Sequence, residues 1–194
     1  AMAILKACNG QNVTIENVEQ KEKTEKPPKL YDLTTLQREA NKLLGFTAEQ
    51  TLQYAQSLYE KKYITYPRTD SRFLTEDMES GIPVLANATA GFFMPTTDGL
   101  AINTAQVIDN SKVSDHHAII PTMNTKELDV QGLPIGERET LLLIAIRLLV
   151  SVGDAHRYSE TVITAKCGES VFTAKGKTVT QDGFKAMQKL YKGE

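Results

Sequence analysis

The sequence is poor in three things: cysteine, long apolar runs and excess positive charge. Only Cys8 and Cys167 occur, far apart and in no Cys-x-x-Cys pair. That argues against a disulfide framework and for reduced core thiols in a cytosolic protein, with a single bridge between the two left open. The longest apolar run, TLLLIAIRLLVSV from Thr140 to Val152, carries Arg147. It is too short to span a bilayer and reads as a buried helix. No secretory apolar stretch opens the chain. Net charge is −2; residues 31–155 hold ten Lys and Arg against sixteen Asp and Glu, a net of −6, and the flanks carry +4. A protein that coats duplex DNA shows a broad basic face. This chain has none, nor any internal repeat or low-complexity tract.

What is present suits an ordinary globular protein. The chain has 194 residues, 41% hydrophobic and 24% charged, enough for one large domain or two small ones. It opens on Ala1 and Met2 without an obvious first element, as a piece of a longer protein would. AILKACN and NVTIENVEQ read as strands joined by a turn at Asn9-Gly10, and KEKTEKPPK as a polar connector. From Thr34 the period becomes helical. Leu36, Ala40, Leu43 and Leu44 share one face, with a Thr34–Gln37 capping box and Gly45 as the stop. Thr47 and Gln50 repeat the device for a helix that ends at Lys61-Lys62. Thr75 can cap another helix, and a looser region from about Pro95 to Asn110 leads to an extended SDHHAIIPT.

An apolar helix follows from about Glu137 to Val152. After Gly153 the alternation of strands returns, with turns at Gly168, Gly176 and Gly183. Strands at both ends of a helical middle imply that the ends pair. The fold class is therefore α+β, with a mainly helical domain (31–155) inserted into a small β-sheet domain (1–30 and 156–194).

The segment KKYITYPRTDSRFL concentrates the chemistry. Lys61, Lys62, Arg68 and Arg72 face a single Asp70, a local net of +3 in an acidic region. Such a point of charge suits one phosphate held at a site. Tyr66 is a candidate nucleophile. A phenol with a reference pKa near 10 attacks poorly at neutral pH unless a cation stabilises the phenolate and the phosphate under attack. Arg68, two residues on, offers a planar fork to phosphate oxygens. In an extended segment it would share a face with Tyr66. Asp70 could orient an arginine or an incoming hydroxyl.

ITYPRTDSRFL closely resembles the active-site segment of type IA DNA topoisomerases, particularly the topoisomerase III group. PPKLYDLTTLQREANKLLGFTAEQTLQYAQSLYEKKYITYPRTDSR resembles the family's approach to its tyrosine. DHHAIIPT is similar to its second active-site segment, and FTAKGKTVTQDGF to the sheet domain that closes its arch. The likeness runs from about Pro27 to Phe184. It implies that Tyr66 attacks single-stranded DNA and forms a 5′-phosphotyrosine link, that Arg68 stabilises the phosphate, and that His116 positions it. DNA-binding candidates are Lys62, Asp70, His117, Gln37 and Asn41, together with Arg72, which could instead pair with Glu76 or Asp77. His117 reads as supporting or structural. Adjacent histidines lack a helix-face ligand spacing, so no metal is assigned to His117 and Asp115. His156 reads as a surface residue at a domain join. Tyr59, Tyr63, Phe73, Phe92 and Phe93 read as core.

The resemblance further implies an amino-terminal acidic domain that binds Mg²⁺ and supports acid catalysis. No Asp-x-Asp-x-Glu arrangement occurs here, so the chain is expected to be the strand-gate part of a longer enzyme. Alone it should be inactive and monomeric, with no cofactor or membrane contact, and with Tyr66 open to solvent. Its partners would be single-stranded DNA and the acidic domain of the same parent, which would be cytoplasmic, nucleoid-associated and bacterial. The alternative is a non-catalytic DNA- or partner-binding module of the same fold. A tyrosine recombinase would need a His-x-x-Arg element that neither HHAI nor AHRY supplies.

Overall fold

A computed structural model describes residues 2–92 and 101–192, with side chains through residue 189. The chain forms two compact units, Ala1–Glu25 with Ala155–Asp182 and Lys26–Asp154 with Gly183–Glu194. The residues around Pro95 fall outside the described part, as does Phe93.

The first unit is a three-stranded antiparallel sheet in the order β1-β2-β3, from β1 (Thr14–Glu25), β2 (His156–Cys167) and β3 (Ser170–Gln181). Strands from the two ends of the sequence therefore pair, Val18 opposite Ile163 and Lys21 opposite Glu160. Four local readings need correction. AILKACN is a helix, α1 (Met2–Cys8), because its Ala, Leu, Met and Lys are strong helix formers. KEKTE is no connector: it continues β1 to Glu25. Nearly all of β1 is exposed on both faces, so no apolar alternation marks it. Gly176 makes no turn and pairs with Thr161 inside β3, whereas Gly168 and Gly183 do turn, at φ of 56° and 54°. His156 is not a surface residue. It is 3% exposed, with Nδ1 at 3.1 Å from the Asp182 carbonyl. Both cysteines are free thiols. The Cys8 thiol beside Cys167 pushes the latter's pKa up.

The second unit packs α2 (Leu33–Leu44), α3 (Ala48–Glu60), α4 (Ile82–Ala90) and α6 (Phe184–Lys192) around α5 (Ile135–Val152). No described helix is long and apolar enough to cross a membrane. Most of α5 is buried, Thr140, Leu141, Leu143 to Ile146 and Leu148 to Val152 among them, as expected for its apolar run. One cluster gathers Leu36, Ala40, Ala55 and Leu58 against Leu141 and Ile144. Another joins Leu85, Ala86, Ile120, Leu148, Leu149 and Phe184. Phe184 docks through its backbone as well, its N–H donating to the Asp154 carbonyl at 2.8 Å. The tail from Gly183 thus belongs with the helices, and Lys26–Leu30 does too.

Arg147 explains its own presence in an apolar helix. Its guanidinium pairs with Glu39 of α2, donates to the Tyr31 hydroxyl at 3.1 Å and to the Lys29 carbonyl at 3.2 Å, and lies 4.2 Å over the Tyr31 ring. Tyr31 is fully buried, and that burial pushes its phenol pKa far above the ordinary value, Arg147 opposing.

Candidate active site

Tyr66 follows the end of α3, and that end is built with care. The expected Thr47–Gln50 box does cap α3. At the other terminus the Lys62 N–H donates to the Tyr59 carbonyl (2.8 Å) and the Tyr63 N–H to that of Leu58 (2.9 Å). This is the paired bonding of a Schellman stop. It forces Lys62 to φ 63°, a conformation costly for any residue with a Cβ. The strain is held by two donors to the Lys62 carbonyl, Thr122 Oγ1 at 2.5 Å and Asn124 Nδ2 at 3.1 Å. Lys61 is engaged with Glu137 of α5 at 2.5 Å.

From there the tyrosine segment runs antiparallel to the histidine segment, Ile64 bridging Pro121. Two threonines stitch the pair. Thr65, just before Tyr66, donates from its hydroxyl to the Ala118 carbonyl at 3.0 Å and accepts from the Ile120 N–H at 3.0 Å. Thr69, just after Arg68, donates to the His116 carbonyl at 2.8 Å. Thr69 is 8% exposed. Its own carbonyl accepts from the Leu33 N–H at 3.1 Å, so the start of α2 is tied to the same loop. The first turn of α2 is capped two residues earlier than the Thr34–Gln37 pattern predicts: Asp32 accepts from the Thr35 N–H at 2.6 Å and Thr35 reciprocates.

The result brings Tyr66 and His116 together. Their ring centroids lie 4.4 Å apart at 47°. Tyr66 also meets Tyr59, centroids 5.3 Å apart and nearly edge-on. Tyr59 is 38% exposed and so is not the core residue its helical spacing suggests. Tyr66 itself is half-buried, while Arg68, Asp70 and His116 are exposed. The chain bends at Pro67-Arg68, so the two-residue alternation expected to align Tyr66 with Arg68 does not apply. Arg68 instead lines a cavity of about 470 Å³ with His116, Asp70, Asp115, Asp32 and Thr34 at the amino-terminal end of α2. A helix start favours anions, and the exposed guanidinium adds to that. Among the carboxylates, Asp32 is committed to its cap and Asp70 accepts from Ser114 Oγ at 3.3 Å. No three His, Cys, Asp or Glu side chains among the described residues gather as metal ligands.

The remaining candidates lie elsewhere. His117 Nδ1 rests 2.8 Å from the carbonyl of Ala118, a local contact. Gln37 and Asn41 donate their amides to the Ala48 and Phe46 carbonyls, at 3.0 Å each, across the α2–α3 turn. Arg72 Nε donates to the Leu30 carbonyl at 3.0 Å, and neither Glu76 nor Asp77 forms an ion pair with it. Sequence reasoning missed Thr65, Thr69, Tyr59 and the capping Asp32. The two threonines that bracket YPR were the available signal.

The DNA topoisomerase family profile matches residues 1–194. The chain is 40% identical over 193 residues to DNA topoisomerase 3 of Bacillus subtilis strain 168, covering 95% of this chain and 26% of that protein. It is 41% identical over 191 residues to DNA topoisomerase 3 of Bacillus licheniformis, covering 93% and 25% respectively. It thus spans about a quarter of the length of these relatives. The full-length topoisomerase I of Thermotoga maritima has the same fold, with a TM-score of 0.73 at 24% identity, over 97% of this chain and 32% of that one. A match along its whole length, on a fold shared with a topoisomerase, places this chain in the DNA topoisomerase family.

Proposed function

We propose that this chain is the strand-gate part of a type IA topoisomerase and that Tyr66 is its nucleophile. The observation that carries the reading is the Tyr66–His116 ring contact at 4.4 Å beside the cavity that Arg68 and His116 line. In the proposed step the Tyr66 oxygen attacks a backbone phosphorus of single-stranded DNA. The P–O3′ bond breaks, the phosphate stays on tyrosine through its 5′ side, and the phenol's proton is lost as the departing 3′ oxygen gains one. Arg68 donates to the phosphate oxygens as charge builds. His116 holds the phosphate against the ring. A second strand then passes, and the 3′ hydroxyl reverses the attack.

Mg²⁺ would neutralise charge on the DNA phosphates when bound by an acidic domain of the parent. The described residues of this chain form no cluster to hold it. The parent would work in the bacterial cytoplasm on nucleoid DNA. This chain by itself should neither cleave nor relax DNA, since the acidic domain would supply the rest of the chemistry. The test is to trap the adduct of the full-length parent, digest it, and locate the modified peptide by mass spectrometry. A nucleotide phosphate on the peptide holding Tyr66 supports the reading. The same mass shift on Tyr59 or Tyr63 instead would overturn the assignment.

A further inference from the structure

The outer ridge of α2 carries a second cationic site. Thr34, Arg38 and Lys42 recur every four residues, so they stand on one face, and all three are exposed. Arg38 and Lys42 line a cleft of about 340 Å³ together with Arg72, Arg147 and Glu39. The ledger of partners in this cleft is unequal. Glu39 is consumed by Arg147, and Arg72 commits only Nε, to the Leu30 carbonyl. Among the described residues neither Arg38 nor Lys42 has a carboxylate partner. Residues 31–155 are net −6, so carboxylates are plentiful; leaving several cations unpaired around one concavity is unfavourable unless an anion completes it.

The cleft is also continuous in sequence with the candidate active site. Leu33 and Thr34 line the Arg68–His116 cavity, and Thr35 and Arg38 line this one. Arg38 and Lys42 are one turn apart, about 6 Å along the helix axis. A flexible backbone with regularly spaced charges fits such a row, and guanidinium forks match phosphate oxygens.

We propose that the Arg38–Lys42–Arg72 cleft is a second phosphate subsite, which takes the backbone of the same single strand beyond the phosphate at Arg68. This rests on the reading of Tyr66, Arg68 and His116 as the strand-cleavage site. It extends recognition along α2, so the grip on the strand spans two cavities.

The test titrates this chain into end-labelled oligothymidylates of increasing length at several salt concentrations. It compares Arg38→Gln/Lys42→Gln, Arg68→Gln and Leu43→Lys. Arg38, Lys42 and Leu43 are exposed, and circular dichroism verifies that the variants fold. The double substitution should weaken binding of the longer oligomers about tenfold at low salt and lower the salt slope by about 1.4, the loss of two single-strand contacts. The shortest oligomers should bind it as before. Leu43→Lys, which adds a cation to the cleft wall, should steepen the slope. Arg68→Gln should weaken every length. An unchanged slope in the double variant, with Arg68→Gln still weakening binding, overturns the cleft and leaves the cleavage site standing. Absence of binding at any length by the unsubstituted chain overturns both. Equal affinity for polyglutamate, lost in the double variant, would show a cleft for acidic protein segments and overturn the nucleic-acid assignment.

Discussion

Thr69 does more than fill space beside Arg68. Its hydroxyl holds the His116 carbonyl at 2.8 Å and its carbonyl holds the Leu33 N–H. One residue thereby fixes the histidine loop and the helix start relative to the tyrosine. Thr69→Val keeps the shape and removes the hydroxyl. It should cost about 1 to 2 kcal/mol of stability and, in the full-length parent, slow cleavage about 10- to 100-fold by misplacing His116. Thr69→Ser should restore most of the rate. If Thr69→Val cleaves at the wild-type rate while showing the expected stability loss, the residue is structural only. Gly136 offers a second test at this scale. A Cβ there would lie 2.2 Å from Tyr54 Cζ, whose ring packs edge-on against Phe46 at 5.2 Å. Gly136→Ala should lower stability by about 1 to 3 kcal/mol, read from urea unfolding.

Among the elements, the carboxy-terminal stop of α3 is the one under strain. Lys62 sits at φ 63° because the Schellman bonds require it. Lys62→Gly should raise the unfolding free energy by up to about 1 kcal/mol, checked by denaturant melts; a loss of stability would mean that the lysine side chain contributes more than its backbone costs. The α3 helix was legible in the sequence, since its Thr47–Gln50 box and its Ala55 and Leu58 face form as the spacing says. The sequence pattern puts the α2 cap two residues late because Asp32 and Thr34 are both good caps, and the Thr69 carbonyl taking the Leu33 N–H favours Asp32. Beyond residue 20, β1 escapes the sequence pattern because a strand exposed on both faces has no hydrophobic period to read. α1 misled because a short apolar stretch carries no period that separates strand from helix. The motif alone proposes Tyr66, Arg68 and His116, and the structure brings Tyr66 against His116 and Arg68 into one cavity with His116. Their contacts were not legible, because the Thr65–Ala118 and Thr69–His116 bonds join residues 53 and 47 apart, and nothing in the local pattern encodes them.

At the scale of the whole molecule, stability and chemistry respond to different groups. Tyr31 is buried with its phenol pKa raised, so the folded state keeps a proton that the unfolded chain gives up. Stability is therefore complete below about pH 10, the free phenol's pKa, and falls as pH rises from there toward Tyr31's own higher value. Tyr31→Phe should flatten that alkaline fall in a pH series of thermal melts, and an unchanged fall would assign it to other groups. The proposed catalysis would call on the parts that pack least. Arg68 and His116 are exposed and Tyr66 is only half-buried, while α5 and its clusters hold the frame behind them. The central claim is that Tyr66 forms the covalent link and that this chain holds only part of the chemistry. It is tested most directly on a denaturing gel, with end-labelled single-stranded DNA and Mg²⁺, comparing the full-length parent, the parent with Tyr66→Phe, and this chain alone. The expected result is a covalent adduct on the 5′-phosphate side with the unsubstituted parent and with neither of the others. An adduct formed by the phenylalanine variant would contradict the nucleophile, and one formed by this chain alone would contradict the division of the active site.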